Sequence, residues 1–223
     1  MRVIGDVHGN VDGYVNIANC SDVSVQLGDM SYDYSRMIRV NSFKHKFLGG
    51  NHEDYNKYHK QPHSLGNWGL VNDEISLPFD NKVFFVRGGF SPNVHSLIDE
   101  YILTGKQKWF FDEELTDEVL DNAIYNYSII LPDIVLSHEC PTVVKKTFSD
   151  YQSIYKKFGL SSNFCSRTEK ALQCMFNIHK PKLWLFGHWH RSYDMVIDGT
   201  RFICLDKLQY KDIIKEEFSW LKT

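Results

Sequence analysis

The chain predicts an α/β fold with sheets covered by helices, and two observations carry that prediction. Short β-branched and aromatic runs alternate with stretches of helical periodicity, the pattern of strands interleaved with helices. Two further stretches read as antiparallel hairpins, so either one mixed sheet or two packed sheets is expected. With 223 residues, 43% of them hydrophobic and 24% charged, the chain can bury a real core, which excludes disordered and collagen-like classes. It contains no internal repeat and no Gly/Ser-rich or Pro-rich linker, so a single domain over 1–223 is expected.

The first strand is Val3-Ile4, which runs at once into Gly5-Asp6 with no charged and apolar leader before it. The sequence is therefore expected to begin inside its first strand. Strands follow at 23–27 and 43–48. The stretch 54–72 is dense in aromatics, His, Gly and Asn with weak periodicity, and reads as a lid loop over a site. Residues 75–86 read as a hairpin around Pro78-Phe79-Asp80-Asn81, its second strand at 83–86. A helix is expected at 116–125 and a strand at 134–136. The clearest helix starts at Ser166, which forms a capping box with Glu169. Ala171, Leu172, Met175 and Ile178 make its apolar stripe, and Pro181 ends it. A strand at 183–186 and a hairpin at 193–205 around Asp198-Gly199 complete the order.

Charge and cysteine content narrow the function classes. A formal charge of -3 argues against tight, sequence-blind nucleic-acid binding, which draws on a large positive excess. No apolar run approaches the roughly 20 residues of a membrane span. Cys20, Cys140, Cys165, Cys174 and Cys204 are odd in number and form no C-x-x-C pair, so they read as reduced thiols and a cytoplasmic location is expected.

Metal-competent residues gather at the ends of the expected strands: Asp6-Val7-His8, Asp29, Asn51-His52, His138 and His188-Trp189-His190. That edge of an α/β sheet is where ligand sites form. Asp6 and His8, like His188 and His190, are two residues apart, so each pair can aim at one place. Carboxylate, amide and imidazole donors together suit Mn²⁺, Fe or Zn²⁺ better than Ca²⁺ or Mg²⁺. The set is rich enough for two ions, the standard device for in-line displacement at phosphorus. Gly5, Gly28, Gly50 and Gly187 each precede a proposed ligand or its neighbour, where the backbone must turn sharply.

In these blocks the sequence resembles the calcineurin-like metallophosphoesterases. Five signature blocks occur in order: Gly5-Asp6-Val7-His8-Gly9, Gly28-Asp29, Gly50-Asn51-His52-Glu53, Ser137-His138-Glu139 and Gly187-His188-Trp189-His190. The resemblance implies a sandwich of two mixed β-sheets flanked by helices. It implies one metal ion on Asp6, His8 and His190 and another on Asn51, His138 and His188. Asp29 and a hydroxide would bridge them, and His52 would assist the leaving-group oxygen. Mn is the first choice of metal, with Fe or Zn as alternatives.

The match departs from the protein-phosphatase branch, whose second block runs G-D-x-V-D-R-G. Here it reads Gly28-Asp29-Met30-Ser31-Tyr32-Asp33-Tyr34-Ser35-Arg36, so Asp33, displaced by one residue, is the position expected to support His52. Ser137-His138-Glu139-Cys140-Pro141 also departs from His-Gly-Gly, and only Glu53 leans towards that branch, which favours the looser phosphoesterase group. Arg191 and then Arg36 are the expected phosphate forks, and Arg87 is a weaker candidate.

Tyr55, Tyr58, Trp68 and Trp189 are candidates for base stacking, against the commoner reading of packed aromatics. The lysine pairs at 44 and 46, 57 and 60, 145 and 146, and 156 and 157 read as solvated faces. His45, His59, His63, His95 and His179 read as structural or surface residues.

The expected activity is hydrolysis of phosphomonoesters on a small molecule or phosphoprotein, by a monomer with no membrane partner. The alternative is a phosphodiesterase or nuclease using the same centre on nucleic acid or cyclic nucleotides. A binding scaffold without chemistry is disfavoured, because every expected ligand and His52 are present.

Overall fold

The structure, a computed structural model, describes residues 1–214; the end of the expected domain, 215–223, lies outside the described residues. Among the described residues, ten strands form two mixed sheets. In the first, β1 (Arg2–Ile4), β2 (Ser24–Gln26) and β3 (His45–Phe47) run parallel, and β10 (Tyr210–Asp212) pairs antiparallel with β1. In the second, β5 (Val83–Val86), β6 (Ile134–Ser137), β7 (Leu183–Phe186) and β9 (Thr200–Cys204) run parallel, while β4 (Trp68–Leu70) and β8 (Tyr193–Ile197) close the two edges antiparallel.

The period-two alternation of strand side chains sorts the core into layers. Val83 and Phe85, Ile134 and Leu136, and Leu183 and Leu185 face Val3, Val25, Leu27 and Leu48 of the other sheet. Their alternates Phe84, Val86, Val135, Trp184 and Phe186 face outward, onto α4 (Asp117–Ile130), α5 (Thr142–Lys145), α6 (Tyr151–Lys157) and α7 (Arg167–Ile178). Ile4 and Phe47, on the outer face of the first sheet, pack against α1 (Val11–Asn19) and α2 (Tyr55–Tyr58). Continuous apolar runs such as residues 183–186 are what a strand covered on both faces requires. The result is the two-sheet sandwich with helices on both sides, and the hairpin around Asp198-Gly199 is present as β8 and β9.

At the start of α7, Ser166 accepts from Glu169 N at 3.1 Å, but the box is only half closed. The Glu169 carboxylate turns instead to Lys145 Nζ at 2.6 Å. Lys145 is thus buried, contrary to its reading as part of a solvated face, because Glu169 and the carbonyl of Phe164 satisfy its ammonium. The helix expected at 116–125 extends to Ile130 because Tyr127 buries against Phe84 and donates to the carbonyl of His179 at 3.0 Å.

Two expectations are corrected. The hairpin partner of β5 is Trp68–Leu70 rather than the segment near Ile75, which follows a 3₁₀ turn at Val71–Asp73 and buries Ile75 in the core between the sheets. The segment 54–72 is built into the fold instead of forming a lid. Tyr55, Tyr58, Leu65 and Val71 are buried, and Trp68 stacks on Phe84. Those three aromatics therefore pack the protein and are not presented to a ligand. All five cysteines are free, and among the described residues no helix is long and apolar enough to cross a membrane.

Candidate metal centre

The loops after β1, β2, β3, β6 and β7 converge at the carboxyl ends of both sheets, and each delivers at least one of the residues singled out from sequence. Asp6 follows β1, Asp29 follows β2, Asn51 and His52 follow β3, His138 follows β6, and His188 and His190 follow β7. His8, Asp29, His188 and His190 hold φ of 47°, 57°, 65° and 46°, in the left-handed region that non-glycine residues rarely adopt. The surrounding backbone is correspondingly tight. A Cβ on Gly187 would collide with Asp6 Oδ1, and one on Gly50 with Asp29 Oδ1.

The donors fall into two groups that share Asp29. In the first, His190 Nε2 lies 2.7 Å from His8 Nε2 and 3.0 Å from Asp6 Oδ2, and His8 Nε2 lies 3.4 Å from Asp29 Oδ2. In the second, Asn51 Oδ1 is 2.9 Å from His138 Nε2 and 2.8 Å from His188 Nδ1, and His138 Nε2 is 3.3 Å from Asp29 Oδ1. Asp29 therefore turns one carboxylate oxygen to each group.

Outer contacts fix which atoms face inward. His138 Nδ1 donates to the carbonyl of Leu27 at 2.8 Å, which leaves Nε2 as the inward atom. His188 Nε2 lies 3.2 Å from Glu139 Oε2, leaving Nδ1 inward, and Glu139 Oε1 accepts from Trp189 Nε1 at 2.8 Å. His138 thus turns Nε2 toward the amide oxygen of Asn51. An array of imidazole, amide and carboxylate lone pairs converging this closely calls for a cation among them, and the mixed N/O donors fit divalent transition metals. Burial opposes the charge on Asp6, yet its hydrogen bonds with His190 and His8 hold the carboxyl well below the usual range. Burial likewise opposes Asp29, whose pKa the nearby His138 and His52 lower.

His52 lies beside the second group, with its backbone N–H on Asp29 Oδ1 at 2.8 Å. The hydroxyl of Tyr32 donates to the carbonyl of Lys108 at 2.8 Å and so accepts from His52 Nδ1 at 2.9 Å. Nε2 is the nitrogen left for a substrate. Burial lowers the pKa of His52, and Asp29 opposes that shift. A cleft of about 300 Å³ opens here. Asp29, Asn51, His52, His188 and His190 line part of it, and Pro92, Ile154, Tyr155, Phe158 and Trp189 contribute an apolar remainder. No lysine or arginine is among the described residues that line it.

Four candidate site residues stand elsewhere. Asp33 faces solvent and accepts from Ser35 N at 2.9 Å, so Tyr32, one position earlier, supports His52 in its place. Arg36 pairs with Asp12 at 2.7 Å on the surface. Arg191 pairs with Asp150 at 3.0 Å and covers the ring of Phe148, although it follows His190 directly. Arg87 is buried, with Nε on Asn67 Oδ1 and a terminal nitrogen on the carbonyl of Asp112. His45, His63 and His179 hold structural partners, Ser24, Val40 and Pro132.

Tyr32 and Glu139 were not given roles by sequence reasoning. Both stand inside quoted blocks, and that adjacency is the signal that marked them.

A β-sandwich that closes carboxylates, an amide and four histidines around two adjoining points defines a metallohydrolase-like class. The calcineurin-like phosphoesterase family model matches residues 2–192, and the chain belongs to that family. An 84-residue stretch is 34% identical to a lariat debranching enzyme of Entamoeba histolytica, covering 37% of this chain and 23% of that protein. The chain thus matches less than a quarter of the length of that curated relative. Among solved structures, a phosphopantetheinyl hydrolase from Mycobacterium tuberculosis aligns over 100% of this chain and 92% of its own, with TM-score 0.49 and 10% identity. A protein assigned as a 5′-nucleotidase from Staphylococcus aureus aligns over 93% and 48%, with TM-score 0.47 and 13% identity.

Proposed function

We propose that the chain is a two-metal phosphoesterase that hydrolyses phosphomonoesters, with His52 assisting departure of the leaving group. The observation that carries this reading is the pair of donor groups joined by Asp29 at the mouth of a cleft that His52 also lines. Asp6, His8 and His190 would hold one ion and Asn51, His138 and His188 the other, with Asp29 between them. When bound, the ions supply an activated water and neutralise charge on the phosphoryl oxygens. Mn²⁺ is the proposed metal, with Fe or Zn²⁺ as alternatives that the same donors accept.

The chain's own residues do the rest. Tyr32 holds His52 through Nδ1, so Nε2 points its hydrogen-bonding capacity at the substrate. With Nδ1–H committed, proton donation from Nε2 requires the imidazolium form. The apolar residues of the cleft exclude water and receive the ester group. A small cleft with no lysine or arginine in its described lining suits one phosphoryl group with a compact, uncharged leaving group, and this favours a small monoester over a polyphosphate or a strand.

A phosphodiesterase acting on nucleic acid or cyclic nucleotides is the second reading, favoured by the stretch shared with the lariat debranching enzyme. Hydrolysis of an aryl phosphomonoester and the matching bis-aryl diester, side by side with Mn²⁺, separates the two. The expected result is a monoester preference, with kcat reduced by about 10²–10⁴-fold in His52→Ala while metal content is unchanged. A diester preference would overturn the monoester reading, and full activity in the variant would remove His52 from the mechanism.

A further inference from the structure

Asn51 can offer an oxygen to the second donor group in only one of the two orientations of its amide. Flipped, it would present Nδ2, a donor that binds no metal, to His138 and His188. What settles the orientation lies behind the amide. Asn51 Nδ2 donates to Ser91 Oγ at 3.1 Å, and Ser91 Oγ donates in turn to Glu113 Oε2 at 2.8 Å. The other carboxylate oxygen of Glu113 accepts from Ser91 N at 2.8 Å, and its carbonyl accepts from Gly89 N at 3.1 Å. Asn51, Ser91 and Glu113 are all buried and come from three separate segments: the loops after β3 and β5, and a 3₁₀ turn at Phe111–Glu113.

The direction of these bonds matters. A serine hydroxyl carries one proton, and a free one could turn to Asn51 Oδ1 and stabilise the flipped amide. Ionised Glu113 takes that proton, so the lone pairs of Ser91 are what remain for Asn51 Nδ2; burial raises the Glu113 pKa to about 8, and the bonds run this way above that pH. Gly89 brings the loop close enough for the bond, because a Cβ there would press on His138 Cδ2 at 2.9 Å.

We infer that Glu113 and Ser91 are positioning residues: together they lock the amide of Asn51 with Oδ1 toward the metal position between His138 and His188. The inference rests on the metal-dependent reading above. It assigns a function to a buried carboxylate that no motif marks and that touches neither substrate nor metal.

The test is a calorimetric Mn²⁺ titration of the full, metal-stripped chain, without substrate, run above pH 8, where Glu113 is ionised. Wild type is expected to bind in two steps. Ser91→Ala should weaken one step by about 10–100-fold, the usual effect of removing an outer partner of a ligand, and leave the other within about twofold. Glu113→Gln, which keeps the side-chain volume, should weaken the same step by less, and it carries the test if Ser91→Ala folds poorly.

Asn51→Asp supplies the decisive background, because a carboxylate offers oxygen either way round. In it, Ser91→Ala should change the isotherm by less than about twofold. A loss in the Asn51→Asp background as large as that in wild type would reduce Ser91 to packing and overturn the proposal. Ser91→Ala titrating like wild type would overturn the relay alone. A wild type that takes up no Mn²⁺ would overturn the metal-dependent reading and the relay together.

Discussion

Tyr32 and Asp33 are neighbours in sequence with opposite fates. Tyr32 spans from His52 Nδ1 to the carbonyl of Lys108, whereas Asp33 is spent on a local turn with Ser35. Tyr32→Phe should therefore lower kcat by roughly fivefold, the worth of about 1 kcal/mol of lost orientation, while Asp33→Ala leaves it unchanged. Steady-state kinetics on one aryl phosphate decide it, and the reverse ranking would return Asp33 to the site. The proposed ligands were legible because each stands in a short block at a strand end. Ser91 and Glu113 were not, because 22 residues separate them and only the folded chain joins them. Arg36 and Arg191 were misread for a related reason: proximity in sequence to a motif does not reveal that Asp12 and Asp150 already hold them.

At the scale of elements, five parallel-strand ends supply the donors, and α6 with the residue that follows it supplies much of the apolar wall. Ile154 and Tyr155 lie on α6, and Phe158 is its C-cap. Phe158→Ala should raise KM several-fold for aryl phosphates with little change in kcat, since the wall binds the ester group in the ground and transition states alike. Inorganic phosphate inhibition should be unaffected, which a competition assay reads directly. Strands β1, β5, β6 and β7 were legible as dense apolar runs. Helix α1 was hidden by Gly13 and two asparagines, which weaken its pattern although Tyr14, Val15 and Ala18 face the sheet. In α3 (Val94–Thr104), Leu97 is buried while Ile102 and Leu103 are exposed, so its apolar residues do not follow the face that packs.

For the whole molecule, the sandwich was legible from alternation between strands and helices, and its layering from the runs that are apolar on both faces. The charges it buries were not. Burial raises Glu113 from its ordinary value of 4.5 to about 8, with the hydrogen bonds from Ser91 opposing the shift. A carboxyl whose pKa is raised on folding makes the native state bind more protons than the unfolded chain. Its contribution is fully present below about pH 4.5 and is lost as pH rises towards 8. In a chelator, thermal stability should fall across that window, and Glu113→Gln should flatten the decline. An unchanged slope in the variant would show that Glu113 titrates normally.

The four left-handed residues of the proposed metal centre, His8, Asp29, His188 and His190, bear on how this protein tolerates change. Such a conformation costs on the order of 1 kcal/mol or more at each non-glycine position, a burden the sandwich carries continuously. Glycine at any of them would relax the chain and remove a donor in the same step. Selection for a tougher protein and selection for a working one therefore pull these positions in opposite directions, and robustness gained there is gained at the expense of activity.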